Sequence, residues 1–123
     1  MLESKENENI EIWGCKTYRP FRIYWILHEF NLSYKSYKIR SRTGETQTDE
    51  YLNMNPKGKI PMLKHNNLVI TESLAAVKYI TYNFKKPEDF LISQTVTEKT
   101  KEEEWIAFSL MELDCLVIYT LRR

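Results

Sequence analysis

The apolar pattern of the 123-residue chain predicts an α/β domain, strand–helix–strand then strand–strand–helix, followed by a linker and one long helix. Three observations carry this. Ile10-Glu11-Ile12-Trp13 alternates apolar and polar residues and stops at Gly14, the pattern of a short strand ending in a turn. Over residues 20–30 the spacing becomes helical, with Phe21, Tyr24, Trp25 and His28 on one stripe and Ile23, Ile26, Leu27 and Phe30 on another. Met62-Leu63-Lys64, the turn residues His65-Asn66-Asn67 and Leu68-Val69-Ile70 then read as a hairpin that leads directly into a helix.

The first helix has Pro20 in its opening turn, where a missing N–H costs nothing. It is apolar nearly all round, so a sheet on one side and something else on the other are expected to cover it. Residues 36–39 form a second strand, 41–47 are polar with a glycine, and 49–54 make a short helix. Asn55-Pro56-Lys57-Gly58 is a turn cluster. Thr71-Glu72-Ser73 supplies helix-starting side chains, and Ala76, Val77, Ile80 and Phe84 repeat at helical spacing behind them. Pro87 stops that helix. Residues 85–97 read as a linker, and an acidic helix start at Glu98 is followed by Trp105, Ile106, Phe108, Leu110 and Leu113. His28 and His65 have no partner at catalytic or ligand spacing; one is expected to pack on a helix face and the other to sit on a turn surface.

Composition removes several function classes. A net charge of +1, with basic and acidic residues interleaved, leaves no electrostatic footprint for nucleic acid. Residues 1–9 are polar and read as a disordered leader, without the basic and apolar segments of a secretory signal. Uncharged apolar runs fall well short of the roughly 18 residues of a membrane span, so no membrane partner is expected. Cys15 and Cys115 lie far apart with no Cys-x-x-Cys spacing and no Cys/His cluster. Neither a dithiol motif nor a metal site is written here, and a reducing cytoplasm fits.

Three segments resemble the glutathione transferase family. Trp13-Gly14, then Thr17-Tyr18-Arg19-Pro20-Phe21-Arg22-Ile23 and Trp25-Ile26-Leu27-His28-Glu29, resembles its first turn and helix. Asn55-Pro56-Lys57-Gly58-Lys59-Ile60-Pro61-Met62-Leu63 is similar to its NPxGKVPxL stretch. Leu68-Val69-Ile70-Thr71-Glu72-Ser73-Leu74-Ala75-Ala76-Val77-Lys78-Tyr79-Ile80 looks like its xLTESxAIxxYL stretch. The resemblance implies a thioredoxin-like fold with a mixed four-stranded sheet, a glutathione-binding domain over 10–84, the linker over 85–97, and over 98–123 the first helix of a truncated all-helical domain. It also implies glutathione as co-substrate and a small electrophilic second substrate; the apolar first helix and the apolar stripe of the last one call for a homodimer or another chain to cover them.

Glutathione carries a free amine, two carboxylates and a thiol, and the resemblance assigns residues to each. Ile60, before the proline that is cis in relatives, offers its main-chain N–H and C=O to the ligand as one strand pairs with another; Pro61 is expected to be cis. Glu72 and Ser73 stand where unpaired N–H groups and the helix dipole favour a carboxylate, with Ser73 holding the γ-glutamyl carboxylate and Glu72 orienting nearby groups or taking the amine. The same three residues also read as an ordinary helix cap worth roughly 0.5–2 kcal/mol. Lys59 pairs with the glycyl carboxylate or is a plain surface lysine.

A thiolate needs a hydrogen-bond donor to stabilise it at the start of the first helix. Relatives place Ser, Cys or Tyr there, and the matching position is Thr17. Tyr18 and Cys15 are neighbouring alternatives, one or two residues of loop shift away, and Arg19 could supply positive charge instead. Three functions remain open: a transferase that passes the glutathione thiolate to an electrophile in detoxification; a non-catalytic glutathione-binding or protein-interaction module; and a thiol-transferase in which Cys15 exchanges disulfides.

Overall fold

The computed structural model describes residues 8–121; of the leader expected over 1–9, residues 1–7 lie outside the described residues. The described chain forms β1 (Ile10–Trp13), α1 (Tyr18–Glu29), β2 (Lys35–Tyr37), α2 (Asp49–Met54), β3 (Met62–His65), β4 (Leu68–Ile70), α3 (Ser73–Asn83), α4 (Val96–Phe108) and α5 (Cys115–Leu121). It divides into two compact units between Glu88 and Asp89.

In the first unit the four strands make one mixed sheet in the order β2-β1-β3-β4. β1 pairs with β2 in parallel and with β3 antiparallel, and β3 pairs with β4 antiparallel. This is the thioredoxin-like arrangement. The parallel pair requires the crossover that α1 supplies, and the antiparallel pair needs only the turn at Asn66, whose φ is 53°. Alternation along β1 sorts its side chains between two faces. Trp13 and its cross-strand neighbour Met62 are buried with Tyr51 of α2, and Tyr37, Ile39, Met54, Ile60 and Val69 pack around them. Ile12 and its partner Leu63 have the opposite parity and are fully buried, as are Ile23 and Leu27 of α1 and Ala76 and Ile80 of α3. Those two helices pack on one another. Each of these isoleucine and leucine side chains contributes roughly 1.5–3 kcal/mol through burial.

Several boundaries differ from the sequence reading for local reasons. α1 begins at Tyr18 rather than Pro20, with Thr17 as an extended N-cap whose side chain makes no cap bond. Its stripe of Ile23, Ile26 and Leu27 is buried, but Phe21 and Trp25, in edge contact at 5.7 Å, remain exposed. α3 starts at Ser73, with Glu72 as N-cap and no side-chain cap bond, so the capping expected from Thr71-Glu72-Ser73 is not made. The serine is thereby left for another partner. His65 is not on a turn surface: it lies within β3, half-buried, with its Nδ1 2.6 Å from the Tyr79 hydroxyl.

The second unit is helical. α4 begins at Val96, two residues before the expected start, because Thr95 and Glu98 form a reciprocal capping box. The Glu98 carboxylate accepts from the main-chain N–H groups of Thr95 and Gln94 at 3.0 and 2.7 Å. These bonds, the Thr95 amide first and the Gln94 amide next, hold the Glu98 carboxyl below its ordinary pKa. A folded-state pKa below the unfolded value adds stability above the unfolded pKa, and this is lost as pH falls through the folded one. The Thr95→Ala change is expected to cost α4 about 1 kcal/mol, and helix content in the unaltered chain to fall on acidification through the carboxylate range. Circular dichroism against pH checks both, and a pH-independent signal there would contradict the assignment. The expected long helix is interrupted by a π-helical stretch, Ser109–Asp114, between α4 and α5.

Candidate functional site

Three chain segments meet at one end of the first unit. The turn after β1 approaches the loop before β3 so closely that a Cβ on Gly14 would lie 2.9 Å from the Ile60 Cβ. Gly14 has φ of 120°, a conformation side chains rarely permit. Its carbonyl accepts from the Tyr24 hydroxyl at 2.8 Å, and burial pushes that phenol's pKa above its ordinary value, so it stays a donor. Tyr24 also shares a 2.6 Å hydrogen bond with Ser36, which fastens the turn to α1 and β2.

The loop over 55–61 is held from beneath. The fully buried Asn55 donates from Nδ2 to the Lys59 carbonyl at 2.8 Å, and the Tyr51 hydroxyl donates to the same oxygen at 2.6 Å. Burial raises the Tyr51 pKa, so it too remains protonated. Asn55 Oδ1 accepts from the Lys57 N–H, and Gln47 Nε2 donates to the Gly58 carbonyl. The loop therefore reaches Ile60 with its preceding carbonyl fixed. The Ile60–Pro61 peptide bond is cis. Among the described residues nothing hydrogen-bonds the Ile60 main chain. A main-chain N–H and C=O beside a glycine, with no partner among the described residues, are available to an extended ligand.

The third segment is the start of α3. Ser73 is buried, and its Oγ accepts from an Arg22 guanidinium nitrogen at 3.1 Å. Glu72 is exposed and pairs with Lys57 of the loop at 2.6 Å. The first N–H groups of α3 have no intrahelical acceptor, so serine hydroxyl, guanidinium and amides together favour an anion.

The structure thus brings Ile60, Pro61, Glu72 and Ser73 into one neighbourhood through Gly14–Ile60, Lys57–Glu72 and Arg22–Ser73. Thr17 caps α1 on the same turn as Gly14, and its hydroxyl is not used in a cap bond. Tyr18 is 66% exposed. The Cys15 thiol donates to the Ile39 carbonyl at 3.4 Å, beside a 3.0 Å main-chain bond between the same two residues. The Lys59 side chain is exposed, while its carbonyl is the doubly bonded one described above. Sequence reading missed Arg22, Lys57, Tyr51 and Asn55 as partners of these groups. Asn55 and Lys57 lay within a recognised motif; the Arg22–Ser73 link spans 51 residues and leaves no trace in local spacing. Among the described residues there is no group of three or more His, Cys, Asp or Glu side chains able to hold a metal ion, and no helix long and apolar enough to cross a membrane.

Comparison with known proteins gives a consistent picture. The family model described as glutathione S-transferase, N-terminal domain, matches residues 8–82. The chain is 34% identical over 89 residues to glutathione S-transferase A of Pleuronectes platessa, covering 72% of this chain and 40% of that protein. It is 38% identical over 68 residues to elongation factor 1-gamma 1 of Oryza sativa subsp. japonica, covering 55% of this chain and 16% of that one. The solved theta class glutathione S-transferase from the citrus canker pathogen Xanthomonas axonopodis pv. citri, with glutathione bound, superposes with a TM-score of 0.75 at 26% identity. That match covers 87% of this chain and 51% of the other. The chain spans about half the length, or less, of these relatives.

Proposed function

Because the chain belongs to the glutathione S-transferase family, we propose that it binds reduced glutathione where the Gly14 turn, the 55–61 loop and the start of α3 converge, and activates the thiol for transfer to a small electrophile. The observation that carries this reading is the Ile60 main chain, which has no hydrogen-bond partner among the described residues and is pressed against Gly14. The glutathione cysteine pairs with that N–H and C=O. Ser73 and the first amides of α3 receive the γ-glutamyl carboxylate, and Glu72 receives the amine. Lys57 already holds Glu72, but an exposed ion pair is worth at most about 1 kcal/mol, so an ammonium can compete for the same carboxylate. Lys59 is assigned to the glycyl carboxylate, and Thr17 donates its hydroxyl to the thiolate, with Tyr18 and Cys15 as the neighbouring alternatives. The reading carries a cytoplasmic detoxification role and a homodimer, or another chain, over the apolar helices.

Calorimetric titration with reduced glutathione, alongside Ser73→Ala and Ile60→Pro, tests the reading. Saturable binding weakened about tenfold by the first change and abolished by the second is expected, since a hydrogen bond to a charged group is worth roughly 1.5–3 kcal/mol. Binding indifferent to both would move the ligand elsewhere.

A second reading, a glutathione-binding or protein-interaction module without turnover, draws on the likeness to elongation factor 1-gamma 1, a relative whose name is not that of a transferase. Binding without conjugation of a chromogenic electrophile would select it. Disulfide reduction lost in Cys15→Ser would select a thiol-transferase instead.

A further inference from the structure

We infer that Arg22 is a positioning residue for the γ-glutamyl carboxylate: it fixes the Ser73 hydroxyl so that its proton faces the ligand. The inference rests on the glutathione-binding reading above. Ser73 sits in the first turn of α3, with a relative exposure of 6%, and does not cap that helix. The guanidinium of Arg22 comes from the middle of α1 and donates to the Ser73 Oγ at 3.1 Å. A serine hydroxyl has one proton and two lone pairs, whereas a guanidinium only donates. The Arg22 bond therefore fills a lone pair and cannot take the hydroxyl proton, which must point away from Arg22. A carboxylate at the start of α3 is an acceptor of the kind this proton requires.

The arrangement has two further consequences. The hydroxyl rotor is set before the ligand arrives, so its ordering cost is not charged to binding. The donor is also polarised, because its oxygen already accepts from a cation, and hydrogen bonds in a chain strengthen one another. Lysine cannot reproduce this fully. Its ammonium can donate to Ser73 but lacks the planar fork that fixes direction. Arg22 thus acts on one carboxylate of the ligand through Ser73, and its effect should vanish when either is removed.

The test is a ligand-and-mutant cycle on the full chain by calorimetry, with thermal melts of every variant. Arg22→Met is expected to weaken reduced glutathione about tenfold. It should leave γ-aminobutyryl-cysteinyl-glycine, which keeps the amine and thiol but lacks the α-carboxylate, unchanged. Arg22→Lys should restore part of the loss, and in a Ser73→Ala background Arg22→Met should have no further effect on glutathione. Equal weakening of both ligands, or additivity of the two changes, would mean that Arg22 merely ties α1 to α3 and would overturn the inference. Glutathione binding that is intact in Arg22→Met would overturn it while leaving the site reading in place. Failure of the unaltered chain to bind glutathione would overturn both.

Discussion

Gly14→Val is expected to lose about 3 kcal/mol of folding stability, and with it the shape of the proposed ligand site. Two costs add. Gly14 has φ of 120°, and holding an L side chain in a sparsely populated backbone region costs of order 1–3 kcal/mol. The added Cβ would also meet the Ile60 Cβ at 2.9 Å and the Pro20 Cγ at 3.2 Å. Neither neighbour is the far end of a flexible chain: the Ile60 Cβ is bonded to the main chain, and the Pro20 ring is locked. Relief must come from separating the Gly14 turn from the 55–61 loop, and overpacking of this kind costs roughly 1–3 kcal/mol. Against a total stability of about 5–15 kcal/mol this is a large fraction. Urea unfolding checks it: a lower midpoint with an unchanged slope is expected, with Gly14→Ala intermediate, and a midpoint equal to that of the unaltered chain would show that the turn yields freely.

Thr17→Val is expected to lower kcat/KM for a chromogenic electrophile about a hundredfold, with little change in glutathione affinity. Valine keeps the branched shape and removes only the hydroxyl. That hydroxyl forms no cap bond, so its loss costs the fold little, while the proposed thiolate loses a donor. Removing one such donor costs of order 100- to 1,000-fold in turnover. Hydrogen bonding to the charged form lowers a thiol's pKa, so without it the pKa rises and the rate–pH profile moves to higher pH. A profile that stays in place while the rate falls would assign Thr17 to packing and turn attention to Tyr18 or Cys15.

The fold was legible where periodicity and turn chemistry act locally. The short helix Asp49–Met54 and the strand Leu68–Ile70 lie where the apolar spacing puts them, since each is bounded by polar or turn residues. Ends set by side-chain chemistry were less legible. Thr95 and Glu98 drew the start of α4 forward to Val96 through a reciprocal bond, although the pair stood in plain view. The π-helical stretch at Ser109–Asp114 carries no glycine or proline to announce it.

At the site the division is similar. Pro61 could be read as cis from the motif around it. The partners that hold the motif residues could not, because Arg22 and Ser73 are brought together only by the packing of α1 on α3. Tyr51 reads as a core aromatic on a short helix, and nothing in its spacing shows that its hydroxyl, with Asn55, fixes the Lys59 carbonyl. Motif wording marks the segments but not which of their groups pair: the Arg22–Ser73 bond joins two of them across 51 residues of chain.

Both the catalytic assignment and the Arg22 inference depend on glutathione binding at the proposed site. The most direct measurement is amide NMR of the isotope-labelled chain through a titration with reduced glutathione. Saturable shifts confined to Gly14–Tyr18, Lys57–Ile60 and Thr71–Leu74 are the predicted result. No shifts at millimolar glutathione, or shifts centred on the separate cleft lined by Glu11, Tyr37 and Glu50, would contradict the account.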